Sequence, residues 1–305
     1  MNGAKLEVTD LVKSYDGFIA VNGLSFQVGP GEIFGLLGPN GAGKTTTIRI
    51  IMDIFKADSG TIRVLGQPPG VSRSRVGYLP EERGLYRNLS VLETLLYLAE
   101  LKGVPRATAR PRALSWLSRV DLADWAGRRV RDLSRGMQQK VQFVAGLIHD
   151  PELLILDEPF QGLDPVNVEL LKRLIRELQA EGKTIVLSAH EMSLVEQLCD
   201  RIVLINGGKA VLYGRLDEIK RRYAPRTVRL RTPAKIESLP GVAGITLHGD
   251  VYTVALGETT PQALLTMLVQ RDIPMESFEV ASMPLEEIFI AVVKETQDNR
   301  EVGRE

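Results

Sequence analysis

One cysteine, Cys199, is all the thiol this 305-residue chain contains, so no disulfide framework can form within it. That scarcity sets the expectation of a reducing, intracellular environment. Charge of one sign is missing as well: 38 Lys and Arg balance 38 Asp and Glu. A zero net charge argues against a dominant nucleic-acid surface, which needs a basic excess, and no nucleic-acid partner is expected. No apolar run approaches the roughly 18 residues that cross a bilayer. The opening "MNGAKLEVTD" does not read as a signal peptide. A membrane role therefore has to come through a partner. Low-complexity segments and internal repeats are absent, and the length suits one large domain or two ordinary ones.

Two stretches carry the chemistry. "LLILDEPFQGLD", residues 153–164, opens with four large apolar residues and then sets Asp157 beside Glu158. Such a run suits a strand buried on both faces of a parallel sheet. Adjacent carboxylates in a low-dielectric place repel unless a cation or a shared proton relieves them. The pair predicts a metal ion or a shifted pKa, the bland alternative being a solvated strand end. In the second stretch, "IFGLL" predicts a strand and "TTTIRIIMDIF" a helix. Between them Gly38-Pro39-Asn40-Gly41-Ala42-Gly43-Lys44-Thr45 fits G-x-x-x-x-G-K-[ST]. Its glycines let successive N–H groups curl round a phosphate at the positive end of the following helix. Lys44 would neutralise the β- and γ-phosphates, the Thr45 hydroxyl would ligand Mg²⁺, and Thr46 would donate to the α-phosphate. A chance lysine in a glycine-rich turn is the alternative, and the strand before with the helix after weighs against it. The acidic pair now has a cation to serve: Asp157 through metal-bound water, with Glu158 as general base for the attacking water.

Further along, "DLSRGMQQKVQFVAGLIHDPELLILDEP" resembles the signature segment of ABC-type ATPase subunits, and the matching motifs run in the family's order from about residue 5 to 215. That resemblance implies ATP and Mg²⁺ as cofactors and an ATP-hydrolysing subunit of a membrane transporter. It implies that Tyr15 stacks on adenine and that Ser134 and Gly136 face the nucleotide of an opposite protomer. Arg135 between them would either add a phosphate or ribose contact from across the dimer or lie on the surface. The resemblance makes Gly162-Leu163-Asp164 the D-loop. It makes His190, at the end of "TIVLSAH", a sensor of the γ-phosphate. One P-loop and one signature per chain imply a second nucleotide-binding subunit, an identical one giving a two-fold sandwich. The implied reading is an ATPase that drives separate permease subunits, most readily an exporter, from the inner face of the membrane. The rival is a non-transport ABC ATPase that remodels a ribosome- or DNA-associated assembly.

The chain departs from the family pattern at two places. Glu81, in "VGYLPEERGLY", stands where the family usually has glutamine; it is a candidate Mg²⁺ ligand and catalytic group that adds negative charge near Asp157 and Glu158. In the signature, Arg135 replaces a glycine and Met137 a glutamine. "YLPEERGLY" with "LSRGMQQK" looks most like the bacterial sodium-export-type branch. "LSVLETLLYLAELKG" and "RALSWLSRVDLADW" predict helices, and core packing is the favoured role for most of Leu85, Tyr86, Leu95, Leu96 and Tyr97. The fold expected is a P-loop α/β domain over residues 1–222, a mixed sheet core with a helical subdomain over about 84–150. A small α+β domain, ferredoxin-like as the candidate form, follows over 223–296. It reads as three strands ("TVRLRT", "GITLHG", "VYTVALG"), a helix, a strand and a last helix opened by Pro284. A disordered tail is expected over 297–305.

Overall fold

The computed structural model describes residues 3–82 and 84–302, with side chains described as far as residue 294. The chain divides into two units, one made of residues up to Leu216 together with those from Val292, the other Asp217–Ala291. The division falls earlier than the boundary after residue 222 suggested by the basic run, because that run lies inside a helix, Leu216–Tyr223, and does not break the chain. Among the described residues no helix is long and apolar enough to cross a membrane.

In chain order the first unit contains β1 (Leu6–Tyr15), β2 (Phe18–Val28), β3 (Ile33–Leu37), α1 (Lys44–Ile51), β4 (Ser59–Val64), β5 (Val76–Leu79), α2 (Val91–Leu101), α3 (Arg106–Arg119) and α4 (Arg135–Leu147). It continues with β6 (Leu153–Asp157), α5 (Pro165–Ala180), β7 (Thr184–Ala189), α6 (Met192–Leu198), β8 (Arg201–Asn206) and β9 (Lys209–Arg215). The main sheet runs β5-β6-β7-β3-β8-β9, parallel except for the antiparallel last strand, and a second sheet runs β2-β1-β4, antiparallel throughout. Every residue of the main sheet's central strands β3, β6 and β7 is buried, as strands covered on both faces require. One face packs α1 (Ile48, Ile51) and the antiparallel sheet (Leu6, Leu24, Phe26) against Phe34, Leu36, Ile155 and Val186. Towards the other face, α5 buries Leu170, Leu171, Leu174, Ile175 and Leu178, an amphipathic stripe with helical period. With the middles of these strands committed to packing, chemistry is left to the strand ends.

The predicted helical subdomain appears as α2, α3 and α4, with Leu95, Leu96, Leu117 and Phe143 in its core. The core reading fails for two of its residues: Tyr86 and Tyr97 are exposed and meet edge to face at 5.1 Å, and Leu85 is only half-buried. Helical period assigned Tyr97 to the family of buried positions, but it sits on the flank of the stripe, where a ring can keep its hydroxyl in water.

In the second unit, after α7 (Leu216–Tyr223), come β10 (Thr227–Arg231), β11 (Val242–His248), β12 (Val251–Leu256), α8 (Pro261–Gln270) and β13 (Ser277–Val280), and α9 (Leu285–Val302) begins. The sheet is antiparallel in the order β11-β12-β10-β13. That order is the one a β-α-β-β-α-β ferredoxin-like chain makes, but no helix joins β10 to β11. Only six residues lie between Pro233 and Pro240, less than two helical turns, and Ile236 and Leu239 from that segment are buried in the domain core. The tail also differs from expectation: α9 continues to Val302, with Gln297, Arg300 and Glu301 as the good helix formers of that stretch. Residues 303–305 of that tail lie outside the described residues.

Candidate functional site

The P-loop forms where the buried β3 ends and α1 begins. Gly38 and Gly43 have φ of 149° and 108°, and a Cβ would lie 2.3 Å from the Ile205 carbonyl at the first and 2.4 Å from the Ala20 carbonyl at the second. Only glycine fits both turns. The loop closes round its own lysine: Lys44 Nζ donates to the carbonyls of Gly38 (2.7 Å) and Pro39 (3.3 Å) and lies 3.6 Å from Glu158 Oε1. This lysine is 6% exposed, so its charge is held in a nearly dry place.

β6 ends in the acidic pair. Asp157 is fully buried and Glu158 is 8% exposed. Parallel pairing sets Asp157 opposite Ser188 on β7. The Ser188 hydroxyl donates to Asp157 Oδ1 at 2.5 Å and accepts the Glu158 N–H at 3.0 Å. Asp157 Oδ2 is buried with no hydrogen-bond partner. Burial holds the Asp157 carboxyl above its usual range, with Glu81 and Glu158 adding to the rise and Ser188 and Thr45 opposing it. Glu158 sits at φ 49°, a left-handed conformation that a non-glycine residue adopts at a cost. Its Oε2 is 2.9 Å from His190 Nδ1, so the carboxylate is held between His190 and Lys44.

A cleft of about 400 Å³ is lined by Tyr15, Phe18, Ala20, the loop from Asn40 to Thr46, Glu81 and Glu158. Tyr15 and Phe18, at the turn between β1 and β2, are both exposed. Tyr15 is steadied edge to face by Phe55 at 6.2 Å, with Lys13 over its ring at 5.4 Å. The Glu81 loop is clamped from α4, where Gln142 Nε2 donates to the carbonyls of Pro80 (3.0 Å) and Glu82 (3.1 Å), the residues on either side of Glu81.

The unpartnered Asp157 Oδ2 is a hard oxygen that a cation would satisfy, and Thr45 is beside it. Among the described residues no cluster of three His, Cys, Asp or Glu closes round a point. A Mg²⁺ ion fits such an incomplete set, since it binds through one or two protein oxygens and completes its shell with water and phosphate.

The structure thus brings Tyr15, Gly41, Lys44, Thr45, Thr46, Glu81, Asp157, Glu158 and His190 together. It does not bring the signature there. Ser134 caps α4, accepting the Met137 N–H at 3.3 Å, and both Ser134 and Arg135 are exposed. Arg135 lines a separate depression with Leu85, Arg87, Val130 and Gln138. Asp164 caps α5, accepting the Asn167 N–H at 3.0 Å, and these bonds hold its carboxyl low. Three residues escaped the sequence reading. Phe18 was detectable as an aromatic in a polar turn, Ser188 as the polar residue within a buried strand, and Gln142 gave no signal.

A family model described as "ABC transporter" matches residues 21–161, and a second, described as "ATP-binding protein DrrA1-3-like, C-terminal domain", matches residues 214–293. The chain is 40% identical to the uncharacterized ABC transporter ATP-binding protein YhaQ of Bacillus subtilis, over 94% of this chain and 98% of that protein. It is 32% identical to the daunorubicin/doxorubicin resistance ATP-binding protein DrrA of Streptomyces peucetius, over 97% and 94%. Among solved structures, an ATP-binding subunit of an ABC transporter superposes with a TM-score of 0.66 at 34% identity, covering 72% of this chain and 92% of that one.

Proposed function

The chain belongs to the family of ABC transporter ATP-binding proteins, and from that premise we propose that it is the Mg²⁺-dependent ATPase of an exporter, dimerising on ATP and driving separate permease subunits from the inner face of the membrane. The observation that carries the reading is Glu158, held between His190 and Lys44 one residue beyond the buried Asp157. In this arrangement the adenine stacks on Tyr15, the loop from Gly38 to Thr46 wraps the phosphates, and Lys44 turns from its own loop carbonyls to the β- and γ-phosphates. Thr45 and Asp157 would hold a Mg²⁺ ion, which would supply charge to neutralise the phosphates and to make the acidic cluster tolerable. Glu158 takes the proton of the attacking water, and His190 both fixes the rotamer of Glu158 and faces the site of the γ-phosphate.

The exposed signature supports the dimer, since Ser134 and Gly136 lie outside the cleft lined by their own chain's P-loop and offer hydroxyl and amide donors to a phosphate from elsewhere. Export is supported by the likeness to DrrA over nearly the whole of both chains, since that relative is named for drug resistance. The test is a pull-down of tagged Glu158→Gln protein with ATP and Mg²⁺ from detergent-solubilised cells, since loss of the base should trap the closed dimer. Recovery of a polytopic membrane protein supports the reading. Recovery of ribosomes, DNA-bound proteins or soluble partners alone overturns it in favour of an assembly-remodelling ATPase.

A further inference from the structure

We infer that Ser188 is a positioning residue of the hydrolytic site, and that one hydroxyl sets the geometry of both acids; this deepens the ATPase reading above and rests on it. Ser188 is fully buried on β7 directly opposite Asp157. Its oxygen makes two bonds of different kinds. As donor it holds Asp157 Oδ1 at 2.5 Å, which leaves Oδ2 as the one oxygen of that carboxylate without a partner. The bond therefore decides which lone pairs remain for the cation and its water. As acceptor it takes the Glu158 N–H at 3.0 Å. Glu158 adopts φ 49° immediately after the strand, where its amide is no longer paired by the sheet. A buried amide in a strained conformation needs a partner if the strain is to persist.

His190, two residues beyond Ser188, holds the Glu158 carboxylate at 2.9 Å. The end of β7 thus fixes Glu158 at two points, its backbone through Ser188 and its carboxylate through His190. β7 is buried along its whole length and, apart from Thr184 at its start, Ser188 is its one polar residue. Both bonds of the Ser188 hydroxyl go to the acid pair, which assigns it to the acids. Groups that orient metal-binding carboxylates typically affect metal affinity or activity by about 10- to 100-fold.

The experiment compares full-length wild type, Ser188→Ala, Ser188→Cys and Ser188→Thr. Phosphate release gives kcat and KM, Mg²⁺ titration of a bound fluorescent ATP analogue gives metal dependence apart from turnover, and thermal melting gives the folded fraction. Ser188→Ala is expected to lower kcat by about 10- to 100-fold with KM for ATP within about threefold, and to need several-fold more Mg²⁺ for half-maximal binding. Ser188→Thr, which keeps the hydroxyl, restores most of both. Ser188→Cys keeps the volume with a weak donor and should follow the alanine variant even if that one is too unstable to assay. Wild-type kcat and Mg²⁺ dependence in the alanine or cysteine variant overturn the inference. So does a loss that vanishes when activity is scaled to folded protein. If wild type itself releases no phosphate, the ATPase reading fails, and the Mg²⁺ titration alone then decides the role of Ser188.

Discussion

The two ends of β6 carry acids in opposite circumstances. At its start Glu152 lies near the surface and accepts from Arg75 (2.6 Å) and Lys5 (3.2 Å), which hold its carboxyl down at about 2. At its finish Asp157 is buried, keeps one oxygen unpartnered, and is held above its usual range by burial with Glu81 and Glu158 nearby. Four buried apolar residues separate the two situations. The first end uses its charge to hold β1 and the turn before β5 to the strand. The second leaves one carboxylate oxygen without a partner, a local cost that the proposed cation would offset. A fold optimised for stability alone would have treated both ends like the first.

Removing the proposed base separates the two ends most sharply. Glu158→Gln is expected to lower phosphate release by about 10²- to 10⁴-fold, the usual contribution of a general base, with nucleotide binding retained. A single-turnover assay checks it, and turnover within about tenfold of wild type would assign the proton transfer elsewhere.

Asp157→Asn comes next and should move function and stability in opposite directions. It removes a buried charge while keeping an oxygen for the Ser188 hydroxyl, so Mg²⁺-dependent nucleotide binding falls. The nucleotide-free, metal-free protein should meanwhile gain about 1 kcal/mol, or roughly 2–4 °C in Tm. The sign with pH follows from the raised pKa. The folded state holds the Asp157 proton where the unfolded state has released it, so wild type loses stability as pH rises from 3.8, the ordinary value, through the folded value. The advantage of the asparagine variant should be absent below about pH 4 and grow above it, which melting curves in EDTA would show.

Why the P-loop and the acidic pair were readable from sequence and their supporting residues were not has a physical answer. Glycine spacing in the loop from Gly38 to Thr45 is forced by backbone approach to Ile205 and Ala20, so residue identity reports geometry directly. The unbroken run before Asp157 likewise has one comfortable setting, the middle of a covered sheet. Ser188 and Gln142 act across the sheet and across the helical subdomain, and their roles depend on register and on the path of α4. No local pattern encodes that. The run of three strands without a helix between β10 and β11 was legible from sequence, whereas the burial of Ile236 and Leu239 of that connection in the domain core was not.

Glu81→Gln is a smaller perturbation of the acidic end, because Glu81 is exposed. Its charge contributes to the rise at Asp157 after burial and against the pull of Ser188. Neutralising it should let Asp157 ionise at lower pH and move the acid limb of the ATPase profile slightly down, the effect being small because exposed charges are well screened. Superimposable profiles would mean that Glu81 does not communicate with the site in the turning-over enzyme.

The smallest effect belongs to the structural end. Glu152→Gln breaks the bonds to Arg75 and Lys5, and the low pKa of Glu152 taken alone points to a large loss. Its side chain is 41% exposed, however, and that of Arg75 49%, so solvent screening reduces the pair to about 0.5–1 kcal/mol. A lowered acid pKa contributes stability that is complete above the unfolded value of 4.5 and disappears as pH falls towards 2. The variant should therefore melt slightly below wild type at pH 7, converge with it in acid, and lose more of its deficit as salt is added. ATP turnover should not change, because Glu152 is not among the residues that line the cleft. A turnover defect here would mean that the strand transmits strain between its ends, and that the two acids are not independent.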